Sequence, residues 1–171
     1  VLAGAALAMV CATAVPALAA AQAASTHTVV HAQGSAPVPA APLRVVVYDL
    51  GALDAMQALG IPVRGVPKAQ FPHYMAGYGD AKYAVAGSLF EPDYEALSQI
   101  KPDLIIAGNR SLPKVQELKK FAPVLDVTVD NQNQMAHVQR NIRAIAAIYG
   151  VPEKGEQEIK SIDAAIADVK A

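Results

Sequence analysis

One stretch, Glu91–Arg110, constrains the fold more than any other, because it reads as helix, tight turn, buried strand and polar loop in direct succession. Pro92 suits the first turn of a helix, where its missing N–H costs nothing. Leu97 and Ile100 share a face at helical spacing, and Pro102 ends the helix after Lys101. Leu104–Ala107 is a short apolar run without alternation, the pattern of a parallel strand covered on both faces. Gly108, Asn109, Arg110 and Ser111 follow at once. In open α/β sheets the ligand crevice lies beyond the carboxyl ends of the strands, so an Arg in this position can hold an anion. The plain alternative for Arg110 is a solvated loop charge.

The same unit recurs along the chain. Arg44–Tyr48 is a β-branched first strand, and Asp49 can cap a helix whose stripe is Leu53, Met56 and Leu59 and whose stop is Gly60. Ile61–Val66 predicts a second extended run ending at Pro67-Lys68. Residues 69–83 predict an irregular, Gly- and Tyr-rich connection, and Ala84–Ala86 a brief third extended piece. After Arg110, Ser111 can cap a helix with Pro113 in its first turn and Val115, Leu118 and Phe121 inward. Pro123–Val129 is the next strand. A longer helix carries Met135, Val138, Ile142, Ile145 and Ile148 and ends at Gly150 and Pro152. From Glu153 a last helix carries Ile159, Ile162, Ile166 and Val169 on one stripe, still in register at Ala171. Such a stripe is expected to continue into further protein. Alternating strands and helices over residues 43–152 predict a doubly wound, mainly parallel sheet flanked by helices.

The first forty residues differ in kind. Among 171 residues of net charge −1, no Asp, Glu, Lys or Arg precedes Arg44. The near-neutral balance gives no global field for nucleic acid, and none is expected as a partner. Residues 1–24 are apolar and Ala-rich with small-x-small sites ending at Ala19 and Ala23, the pattern of a secretory signal peptide. Cys11 is the single cysteine and follows Met9-Val10, so lipid attachment and disulfides are not expected. Residues 25–42, rich in Ala, Pro, Gln, Ser and Thr, read as a flexible linker in which His27 and His31 are free surface histidines.

Catalytic patterns fail on inspection. Gly77-Tyr78-Gly79 lacks the third glycine and the strand–helix setting of a dinucleotide site, and no P-loop or nucleophile elbow occurs. What remains is a polar, cationic rim at the presumed strand ends: Lys68, Asn109, Arg110 and Ser111. Arg110 offers a planar fork and Lys68 a mobile point charge, which suits an anionic ligand better than a reaction.

Four blocks then stand in order: Asp49–Asp54, Gly65–Lys68, Gly87–Asp93 and Lys101–Ile106. Together they resemble the amino-terminal lobe of the periplasmic iron–siderophore-binding proteins of ABC importers, closest to the catecholate binders, over Arg44–Ala171. The resemblance implies two α/β lobes joined by a long helix, whose start is Glu153–Ala171, with the ligand between the lobes. It further implies a monomeric, non-enzymatic receptor in the periplasm, holding a ferric siderophore with Lys68 and Arg110 and delivering it to an inner-membrane ABC permease. No resident cofactor is implied, since ferric iron travels within the siderophore. The family's permease-docking carboxylate has no counterpart at Leu112 or Pro113, and Glu117 is the nearest acid. Cobalamin and haem are alternatives on the same fold, disfavoured by the lack of Trp and by the cationic rim. A secreted α/β enzyme with catalytic residues beyond this sequence is the alternative from another class.

Overall fold

Burial of β-branched runs on both faces explains why the strands assemble centrally and the helices outside. The structure, a computed structural model, describes residues 26–170. The expected leader and Cys11 lie outside the described residues. In chain order the elements are β1 (Thr26–His31), β2 (Gly34–Pro39), β3 (Val45–Val47), α1 (Leu50–Leu59), β4 (Gly65–Lys68), β5 (Ala84–Ser88), α2 (Tyr94–Ile100), β6 (Leu104–Ala107), α3 (Val115–Leu118), β7 (Val124–Asp126), α4 (Gln134–Ile148) and α5 (Pro152–Lys170). Short 3-10 turns cover His73–Gly79 and Leu112–Lys114. Strands β3 to β7 form one parallel sheet in the order β5-β4-β3-β6-β7. This is the expected doubly wound α/β sheet.

The strand period of two divides the core. Val45, Val47, Leu104 and Ile106 face Leu53, Met56, Ile145 and Ile148 of α1 and α4. Val46, Tyr48, Ile105 and Ala107 face Leu97, Val115 and Leu118 of α2 and α3. Leu104, Ile105 and Ile106 are completely buried, and each such side chain stabilises the fold by about 1.5–3 kcal/mol. The first helix begins and ends where its caps dictate. Asp49 Oδ1 accepts the Ala52 N–H at 2.9 Å, and Gly60 takes the left-handed conformation, φ 71°, that closes the last turn. Where α5 crosses α4, a Cβ on Gly155 would stand 2.7 Å from that of Ala146, so glycine sets the approach. Ile159 is buried there, Ile162 and Ile166 are half-buried, and Val169 is 89% exposed. The inward stripe therefore fades towards the end of α5.

Several expectations are corrected. Residues 26–39 are not a flexible linker but an antiparallel hairpin, β1 with β2. Its Val29 and Val38 are buried in the core beside α4. Its tip is tied to the end of β7, where Ala32 N–H donates to Asp126 O and Gln33 Nε2 to Asp126 Oδ2 at 2.6 Å. Pro92 stands before α2 rather than in its first turn, because Asp93 is the cap and accepts from Ala96 N–H. The second extended run starts at Gly65, not Ile61. The long connection 69–83 contains a 3-10 turn that buries Met75 and Tyr78. Ser111 gives no side-chain cap to the turn that follows it.

Candidate ligand cleft

The order β5-β4-β3-β6-β7 fixes where a crevice must lie. From β3 the chain passes through α1 to β4 on one side, and after β5 it returns through α2 to β6 on the other side of β3. Chain connections leaving β3 and β6 at their carboxyl ends therefore run to opposite sides, the arrangement that makes a ligand crevice in open α/β sheets. Asp49 follows β3, Gly108–Ser111 follow β6, and Lys68 ends β4 on the same edge.

The loop after β6 is held from inside. Ser111 is completely buried. Its Oγ accepts the Gly108 N–H at 3.2 Å and approaches the Gly108 carbonyl at 3.3 Å. Ser111, expected at the ligand rim, is placed inside the turn, where its buried hydroxyl fastens the loop. Asn109 is exposed, but its amide is engaged on both sides by the Val129 backbone: Nδ2 donates to Val129 O at 2.7 Å and Oδ1 accepts Val129 N–H at 3.0 Å. Asn109 thereby ties the β6 loop to the segment after β7. Arg110 is exposed between these two fasteners, and Lys68 is exposed at the end of β4. Neither forms a salt bridge among the described residues. The edge therefore carries two uncommitted cations on braced backbone.

A carboxylate that sequence reasoning took only for a helix cap also stands here. Asp49 lies against Gly108 so closely that a Cβ on that glycine would collide with the carboxylate. Burial raises the Asp49 pKa above the usual carboxylate value, opposed by N–H bonds from Ala52 and Gly51 and by the charge of Arg110. Its position directly after the first strand, at the switch point, was the available signal. A cavity of about 260 Å³ between α1, α4 and α5 is lined by Asp49, Asp54 and Glu158 among apolar side chains. Those three carboxylates disfavour an anion in that cavity. Glu117, on α3, is half-buried, with Oε2 shielded and unpartnered.

The geometry is a switch-point crevice bordered by two exposed cations, Lys68 and Arg110. The family model described as periplasmic binding protein matches residues 45–171, and the chain belongs to that family. The chain is 38% identical over 135 residues to the petrobactin-binding protein YclQ of Bacillus subtilis, covering 78% of this chain and 43% of that one. It superimposes on the crystal structure of YclQ with a TM-score of 0.81 at 37% identity, over 85% of this chain and 53% of the other. The periplasmic catecholate-siderophore-binding protein VctP of Vibrio cholerae superimposes with a TM-score of 0.76, also at 37% identity, over 82% and 51%. The chain spans less than half the length of the curated relatives it matches.

Proposed function

We propose that this chain is the amino-terminal lobe of a periplasmic receptor that captures a ferric siderophore, of catecholate type, and delivers it to an ABC permease without chemistry of its own. The observation that carries the reading is the pair of exposed, uncommitted cations, Lys68 and Arg110, on the switch-point edge. A ferric tris-catecholate is an anion of charge about −3, and withdrawing it from water needs several cations to offset the lost hydration. One lobe supplies part of that charge, and a second lobe closing over the ligand supplies the rest. Asn109 braces the Arg110 loop at the rim. The name of VctP, a catecholate-siderophore-binding protein, supports the catecholate class. The receptor acts as a monomer, since a cleft between two lobes of one chain is complete in itself.

Quenching of intrinsic protein fluorescence, to which the six Tyr of this chain contribute, reports binding. Titration of the protein encoded by the complete gene with a ferric tris-catecholate, a ferric hydroxamate and cobalamin tests the reading. Tightest binding of the catecholate supports it; preference for cobalamin or the neutral hydroxamate overturns the ligand class.

A further inference from the structure

Phe90 is a large aromatic left 57% exposed at the carboxyl end of β5. A single exposed aromatic is ordinary. What sets this one apart is the turn that carries it. Ser88 N–H donates to Glu91 O at 2.8 Å, and Asp93 N–H donates to Ala86 O at 2.9 Å. Ser88 Oγ accepts the N–H groups of Phe90 and Glu91 at 3.2 and 3.0 Å. Gly87, φ 100°, bridges to Pro92, and a Cβ there would collide with the backbone of Glu91–Asp93. Every residue around Phe90 is thereby fixed while its ring stays in water.

Two further contacts locate the turn on the cleft rim. Ser88 is in register with Lys68 of the neighbouring strand β4. Glu91 Oε2 pairs with Lys114 Nζ at 3.0 Å, joining the Phe90 turn to the segment that follows Arg110. The aromatic turn and both uncommitted cations therefore border one edge. A ring carried on a braced turn beside cations suits a ligand that is both anionic and aromatic, because little backbone freedom remains to be lost on binding.

We propose that Phe90 is a ligand-contacting, specificity-determining residue, whose ring stacks on an aryl ring of the siderophore while Lys68 and Arg110 meet its oxygens. The inference rests on the proposed siderophore function and names the feature that distinguishes aryl-bearing from purely aliphatic chelates.

The test uses the protein encoded by the complete gene, with a ferric tris-catecholate as probe. Phe90→Ala should raise Kd about tenfold, Phe90→Leu about three- to fivefold, and Phe90→Tyr less than about twofold, because only tyrosine keeps the ring. Thermal melting of all three should match wild type, as expected for an exposed position. Wild-type affinity in Phe90→Ala overturns the inference alone, and full affinity in Phe90→Leu does so too, by showing that area rather than the ring is used. A wild-type protein that binds no ferric catecholate overturns the siderophore reading and, with it, this inference.

Discussion

Replacing Gly108 with alanine tests the geometry of the switch point most sharply. The φ of Gly108 lies outside the left-handed region, so the backbone itself tolerates a side chain. The obstacle is Asp49, whose carboxylate fills the space that the new Cβ requires. To admit the methyl, Asp49 must turn away and release its bond to the Ala52 N–H. Losing such a helix cap costs about 1 kcal/mol, and forcing a methyl into an occupied site costs about 1–3 kcal/mol. Gly108→Ala should therefore lower stability by about 2–4 kcal/mol, read as a fall in urea midpoint at unchanged slope. For a chain of this size the melting temperature should drop by about 4–16 °C. A double-mutant cycle isolates the cause. In an Asp49→Ala background, where the cap and carboxylate are gone and only the residue-49 Cβ remains, 3.0 Å away, Gly108→Ala should cost markedly less. Equal costs in the two backgrounds would refute the argument that Asp49 is what Gly108 accommodates.

Asp49→Asn keeps a capping oxygen but removes a buried charge. The raised folded pKa means that wild-type stability is fullest below the ordinary value of 3.8 and declines as pH rises above it. The variant should therefore gain relative to wild type as pH rises above about 4 and match it below pH 4; a gain on acidification would contradict the sign. Val38→Asp buries a charge in the hairpin's contact with α4 and should cost about 3 kcal/mol or more by denaturant titration. A neutral result would return residues 26–39 to the status of a linker. Lys68→Ala should weaken binding of a ferric catecholate less than loss of Arg110, and the Lys68 contribution should shrink as salt rises from 50 to 500 mM. An effect insensitive to salt would place Lys68 away from the rim.

The centre of the sheet was legible because β3 and β6 are aliphatic runs buried on both faces. Val45–Val47 and Leu104–Ala107 admit no other reading once Pro102 and Gly108 bound the latter. Helix α1 was legible from its caps, Asp49 and Gly60. The hairpin was not, since the β-branched run of β1 is short and its partner β2, Gly-Ser-Ala-Pro-Val-Pro, gives no strand signal. Only Val29 and Val38 of that segment reach the core, and backbone pairing does the rest. Pro67 lies within β4, which pairs on both sides although proline lacks the N–H a ladder uses. The structure resolves this with a register shift between Val66 and Lys68, so that the residue lacking an N–H sits at the irregularity. At the cleft, sequence position located the cations but not the fasteners. Ser111 looked available because it follows Arg110, and only the turned-in geometry at Gly108 shows its hydroxyl to be spent. The Phe90 turn was hidden for a related reason. Its rigidity comes from bonds among Ala86, Ser88, Glu91 and Asp93 that no periodicity announces.

The central claim, that the Arg110 edge holds the anionic face of a ferric siderophore, is tested most directly by the affinity of Arg110→Ala for a ferric tris-catecholate. A guanidinium fork in a partly dry cleft loses two charge-assisted bonds of about 1.5–3 kcal/mol each, only part of which water returns. The account predicts a Kd raised by about one to three orders of magnitude, with melting unchanged because Arg110 is exposed and outside the core. Wild-type affinity in that variant would contradict it.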